Sequence, residues 1–296
     1  MYNIVVLAKQ VPDTHNVTAN AMKEDGTVNR AALPTIFNPE DLNALEAALE
    51  VKDKYKGTVT VITMGPPPAA EVLRESLYRG ADRVILLTDR KFAGADTLAT
   101  SHVIAGAIKK LGKVDLIFAG RQAIDGDTAQ VGPQTAEKLG ISQIGYLEQI
   151  LELSKTEIKI KRTIDNGVEV VKSKLPALIT VTDLANEPRF PSVKKVAVYK
   201  KAMTTFEISR ISDSQQYLDP EKYSEATLKE KGLLIEEWGL DTIKVDEKYC
   251  GLNGSPTKVK KIENVVLQAQ ETKQFEPDEK GISSLIHELI EEHILG

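Results

Sequence analysis

The residues of this chain best suited to hold an anion lie together in Ala119-Gly120-Arg121-Gln122-Ala123-Ile124-Asp125-Gly126-Asp127-Thr128-Ala129-Gln130-Val131-Gly132-Pro133-Gln134. The stretch leaves an apolar run, turns through glycines and enters a helical pattern. Free backbone N–H groups, a positive helix end and small residues suit a phosphate. Gly126 has access to backbone angles closed to other residues, and Thr128, Gln130 and Gln134 add neutral hydrogen-bonding groups. The same residues also read as an ordinary turn in which Asp125 or Asp127 caps a helix starting near Asp127. The pattern is neither a Walker loop, which ends in Gly-Lys-Ser/Thr, nor the dinucleotide G-x-G-x-x-G.

A second turn, Gly94-Ala95-Asp96-Thr97-Leu98-Ala99-Thr100-Ser101, has the same character. Asp96 is the natural N-cap, and Thr97, Thr100 and Ser101 bring hydroxyls to a helix start. Two such turns on neighbouring strands suit a long ligand such as a dinucleotide. Asn186-Glu187-Pro188-Arg189-Phe190-Pro191 is stiffened by its prolines. Arg189 can pair with a carboxylate or a phosphate, and a structural ion pair is the simpler reading. Lys194, Lys195, Lys200 and Lys201 form a basic cluster, which on its own reads as a solvated face. His15, His102, His287, His293 and Cys250 are scattered, so neither a Ser-His-Asp or Cys-His arrangement nor a metal-ligand set is expected.

The elements that must position these turns alternate in type. IVVLA (4–8), TVTVITM (58–64), RVILLT (83–88) and DLIFAG (115–120) are apolar runs of the kind buried on both faces of a parallel sheet. Between them lie helical patterns. Asn38-Pro39-Glu40-Asp41 reads as a helix start, with an N-cap side chain, proline at the first position and acids favoured by the dipole. Strand–helix alternation at this spacing implies right-handed crossovers and a parallel sheet. Ligands of such sheets bind beyond the strands' carboxyl ends, where both turns fall. After residue 144 the pattern becomes alternating, with Asp165-Asn166-Gly167 as a hairpin turn, followed by the buried-strand run ALITVTD (177–183). The expected fold is therefore α/β: a Rossmann-like parallel sheet with helices on both faces, an added antiparallel portion and a C-terminal arm. Residues 1–205 are expected to form the nucleotide-binding domain and 206–296 an extension. That extension ends in an amphipathic helix marked by Ile282, Leu285, Ile286, Leu289, Ile290 and Ile294.

The 296 residues carry a net charge of −5, which speaks against nucleic-acid binding. No apolar run reaches the roughly 20 residues of a membrane span. The opening MYNIVVLAKQ reads as a strand rather than a secretory signal. With a single cysteine, a cytoplasmic setting is expected.

Taken together, Val5–Asp13, Asn38-Pro39, Met64-Gly65-Pro66, Gly80-Ala81-Asp82-Arg83, Gly120–Gln134, Lys174-Leu175-Pro176-Ala177 and Asn186–Arg189 resemble the electron transfer flavoprotein beta-subunit family. The resemblance covers residues 1 to about 200 in order, and AIDGDTAQVGPQ and NEPR are its most specific parts. Gly254–Val259 also resembles the segment before the final arm of longer members. Carried over residue by residue, it implies a nucleotide site of Leu7, Ala8, Lys9, Asn38, Met64, Gly65, Asp96, Thr97, Thr100 and Gly120 to Gln134. It also implies a partner-recognition loop of Asn186, Glu187, Pro188, Arg189, Phe190 and Val193, where Val193 replaces the usual leucine. Members carry an alpha subunit that holds an FAD. In members of the mitochondrial type the beta site holds AMP. In bifurcating members it holds a second FAD that takes a hydride from NADH, the electrons dividing between ferredoxin or flavodoxin and an acyl-CoA dehydrogenase-like partner. The hydroxyl-rich turn AGADTLATS is similar to the bifurcating and nitrogen-fixation-linked members, so FAD is expected over AMP. A free-standing nucleotide hydrolase or sensor would need a catalytic constellation that the sequence does not display.

Overall fold

A computed structural model describes residues 1–13, 33–214, 223–258 and 273–291; His15, Val259, His293 and Ile294 lie outside the described residues. The chain opens with β1 (Tyr2–Leu7) and pairs β2 (Gln10–Pro12) with β3 (Thr35–Phe37) in a small antiparallel sheet. Then follow α1 (Pro39–Tyr55), β4 (Gly57–Met64), α2 (Ala70–Arg79), β5 (Arg83–Leu87), α3 (Thr97–Leu111), β6 (Leu116–Gly120) and α4 (Val131–Leu139). Next come β7 (Ser142–Leu153), β8 (Glu157–Ile164), β9 (Gly167–Lys174), β10 (Ala177–Val181) and α5 (Val193–Tyr199). The last part holds β11 (Met203–Thr204), α6 (Thr205–Ser214), α7 (Glu225–Glu230), β12 (Leu234–Trp238), α8 (Leu240–Ile243), α9 (Gly251–Gly254) and α10 (Glu279–Glu291).

Among the described residues, ten strands form the main sheet in the order β11-β12-β5-β4-β1-β6-β10-β7-β8-β9. All pairs from β11 to β7 are parallel, and β7-β8-β9 is an antiparallel meander. Alternate residues of β1 feed two cores. Ile4, Val6 and Ala8 pack in the cluster that holds Leu45, Leu49, Leu73 and Leu77 of α1 and α2. Val5 and Leu7 pack with Val103, Ile104 and Ile108 of α3 and with Trp238. This explains why the parallel strands read as unbroken apolar runs.

The expected α/β class and its doubly covered parallel sheet are both present. A strand absent from the sequence reading is β12, which pairs in parallel with β5 (Glu236↔Ile85, Glu237↔Leu86, Trp238↔Leu87). Its consecutive glutamates hide a strand buried only at Ile235 and Trp238. No helix of the described residues is long and apolar enough to cross a membrane.

Candidate functional site

Strand order reverses between β1 and β6: from β1 the chain moves outward to β4 and β5, then returns to β6 on the other side. Ligand crevices of open α/β sheets form at this switch point. Residues Leu7 to Lys9 and Gly120 to Gln134 flank it. Asn38 borders it through α1, Met64 and Gly65 lie at the end of β4, and Asp96, Thr97 and Thr100 begin α3 beyond β5.

The loop after β6 is held from α1. Asn38 occupies the N-cap position but makes no side-chain capping bond. Instead its Nδ2 donates to Gln122 O at 2.8 Å, and its Oδ1 accepts from Ile124 N at 3.1 Å. Glu40 accepts from Gln122 N at 2.9 Å and pairs with Arg121 at 2.9 Å. The buried Asp41 accepts from Gly120 N and Lys9 N, each at 2.9 Å. A Cβ on Gly120 would lie 2.4 Å from Asp41 Oδ1, so only glycine permits this approach. Further along, Lys9 pairs with Asp125 at 2.7 Å, and Gln122 donates to Asp127 at 3.0 Å. In the sequence Glu40 and Asp41 present themselves only as acids favoured by the helix dipole. Their type and place signalled a helix start, while their partners lie about 80 residues away in the chain.

Three expectations for this loop are corrected. The helix after it starts at Val131, not near Asp127, and neither Asp125 nor Asp127 caps it. Gln130 holds the N-cap position without a side-chain capping bond. Gly126 is not in the left-handed region; Asp127 (φ 47°) and Ala129 (φ 51°) are. The loop thus spends its strain on non-glycine residues, which cost more there.

At the second turn Asp96 caps α3, accepting from Ala99 N at 2.9 Å. Its other oxygen accepts from Thr257 N at 3.1 Å and Thr257 Oγ1 at 2.8 Å. Burial raises the pKa of this carboxyl, but these donors outweigh it and hold it below the ordinary range. The helix end therefore already carries an anion. Thr97 Oγ1 donates to Gln130 Oε1 at 3.0 Å, joining the two turns.

Six buried side-chain atoms have no hydrogen-bond partner among the described residues: Thr63 Oγ1, His102 Nε2, Arg121 Nε, Gln134 Oε1, Thr182 Oγ1 and Glu237 Oε1. Arg121 and Thr182 directly follow the neighbouring strands β6 and β10, and Gln134 lies in the first turn of α4, whereas Thr63 alternates with Val59 and Val61 on the α1–α2 face. Buried polar atoms are normally paired, so the three beside β6, β10 and α4 fit a polar ligand at those strand ends. The uncapped α4 terminus beside them fits a phosphate. No group of His, Cys, Asp and Glu suited to a metal ion occurs among the described residues.

The loop 186–193 lies apart from the crevice, on α1. Asn43 and Asn186 exchange hydrogen bonds, with Asn43 Nδ2 donating to Asn186 O at 2.8 Å and Asn186 Nδ2 donating to Asn43 O at 3.1 Å. Arg189 pairs with Glu46 and with Asp53, each at 2.9 Å. The Glu46 hydrogen bonds raise its pKa further. Its partners are carboxylates, so it forms a structural ion pair. With the loop fixed, Phe190 and Val193 stand 91% and 84% exposed.

A model of the electron transfer flavoprotein domain matches residues 25–211. Among curated proteins, the chain is 45% identical to electron transfer flavoprotein subunit beta of Clostridium acetobutylicum, covering 99% of this chain and 100% of that one. It is 40% identical to the caffeyl-CoA reductase-Etf complex subunit CarD of Acetobacterium woodii, covering 99% of both. It is 39% identical to protein FixA of Bradyrhizobium diazoefficiens, covering 97% of this chain and 90% of that one.

Proposed function

Because the chain belongs to the electron transfer flavoprotein family, as a beta subunit, we propose that it binds FAD in the β1–β6 crevice and works in a cytoplasmic heterodimer with an FAD-carrying alpha subunit. NADH is the electron donor of this complex, and the electrons divide between ferredoxin or flavodoxin and an acyl-CoA dehydrogenase-like flavoprotein. The unpartnered buried polar atoms of Arg121, Gln134 and Thr182, beside the uncapped α4 N-terminus, carry this reading. The likeness to a subunit of a caffeyl-CoA reductase-Etf complex supports the reductase side of it.

FAD supplies the redox chemistry at such a site, accepting two electrons at once and releasing them singly. The chain's own residues supply the holding. The α4 N-terminus and the amides of residues 128–130 would take phosphate charge, those of Gly126 and Asp127 being engaged with Ala123 O, and Gln134 and Thr182 would satisfy ligand polar atoms. Lys9 stays tied to Asp125. The exposed Phe190 and Val193, on a loop anchored by Arg189, would dock the dehydrogenase-like partner. The apolar face of α10, with Ile282, Ile286 and Ile290 about half exposed, would be covered by the alpha subunit.

One observation favours AMP in the crevice instead. The second turn, which would take part of a pyrophosphate, already has its helix end capped by Asp96. Identification of the nucleotides released from the purified heterodimer separates the two. Two FAD and no AMP per heterodimer is the expected result; one FAD with one AMP leaves a one-flavin carrier.

A further inference from the structure

Asp41 joins both sides of the crevice. Its Oδ2 accepts from Lys9 N just beyond β1, and its Oδ1 accepts from Gly120 N, the last residue of β6. Neutral side chains of similar size cannot replace it. Two N–H donors face the group from opposite sides, and only a carboxylate presents two acceptor oxygens. Glu40 and Asn38 hold the next residues, Gln122 and Ile124, so the path of 120–124 hangs from one helical turn.

We propose that Asp41 is a positioning residue of the nucleotide site: ionised, it clamps the ends of β1 and β6 and sets the loop for the ligand, and protonated, it releases one amide and loosens that loop. The proposal rests on the reading of the crevice as a nucleotide site. The charged groups around Asp41 leave it without a cation of its own. The Lys9 ammonium is 2.7 Å from Asp125, and the Arg121 guanidinium is 2.9 Å from Glu40. Burial pushes the Asp41 carboxyl up to about 7, against the pull of the Gly120 and Lys9 amides, the Asn38 side chain and the Lys9 charge. The clamp therefore changes state near neutrality.

Affinity and stability must then move in opposite directions with pH. Nucleotide binding uses the ionised form and strengthens as pH rises through 7. The folded pKa of about 7 lies above the ordinary 3.8 of an unfolded chain. Asp41's contribution to stability is thus complete below about pH 4 and is lost as pH rises through 7. An acid with a merely structural role would show only the second trend.

Equilibrium dialysis of the heterodimer with FAD, and separately with AMP, at pH 6 and pH 8 tests this. The wild type is expected to bind about tenfold more tightly at pH 8, the worth of one hydrogen bond to a charged acceptor. Asp41→Asn is expected to bind at the wild-type pH 6 level at both pH values, with a urea midpoint at pH 8 no lower than wild type. Because the phosphate of AMP itself titrates near pH 6, its comparison is between the two proteins rather than between the two pH values. A wild-type pH ratio retained in Asp41→Asn, or tighter wild-type FAD binding at pH 6, overturns the clamp and leaves the nucleotide reading intact. No binding of either nucleotide by wild type at either pH removes both. Should Asp41→Asn not fold, hydrogen exchange of the Lys9 and Gly120 amides in wild type decides: the clamp requires their protection, corrected for intrinsic exchange, to fall from pH 8 to pH 6.

Discussion

Gly120 and Gly126 flank the same loop, but only one is confined. A side chain at Gly120 meets Asp41 and the backbone of Glu40 within 3 Å, whereas one at Gly126 meets nothing within 4 Å. Gly120→Ala should therefore cost about 3 kcal/mol, and Gly126→Ala should stay within about 0.5 kcal/mol, as urea midpoints will report. Arg189→Ala leaves Glu46, 8% exposed as a side chain, without its cation. A loss of about 2 kcal/mol is expected by the same measurement. At this scale the sequence shows residue types but not their partners. Asn38, Glu40 and Asp41 carry the chemistry of any helix start, and that local signal masks their grip on a loop about 80 residues distant. Asp96 was legible because an N-cap is satisfied within its own turn.

Among the elements, the loop 186–193 separates stability from recognition. Its backbone and Arg189 are held by α1, while Phe190 touches little and is 91% exposed. Phe190→Ala should leave the urea midpoint within about 0.5 kcal/mol of wild type. Steady-state turnover with the dehydrogenase-like partner should fall about tenfold, as for an interface anchor. Strands with both faces buried were legible as apolar runs, and the β7-β8-β9 meander as alternation plus an Asp-Asn-Gly turn. The start of α4 was not. Gln130 caps nothing, so no N-cap residue marks the boundary, and Asp127 four residues earlier supplies a false one. The short β11 and the glutamate-bearing β12 carry too little periodicity to stand out from a charged stretch.

For the whole molecule, a net charge of −5 coexists with Lys194, Lys195, Lys200 and Lys201 next to the exposed loop. A local field of opposite sign to the bulk would steer a partner with an acidic face. Its association rate, followed by stopped flow, should drop severalfold between about 0.05 M and 0.5 M salt while the urea midpoint stays nearly unchanged. The order of the chain in the sheet has a further consequence, this one for synthesis. The outer edge of β5, RVILL, is closed only by β12, about 150 residues later. At roughly 5–20 residues per second of translation, that apolar edge waits on the order of ten seconds or more for its neighbour. Throughout that interval the growing polypeptide presents an unpaired strand to other nascent chains. The ribosome-bound protein is thus most exposed to aggregation after β10 has completed the strands of the β1–β6 crevice and before β12 has emerged.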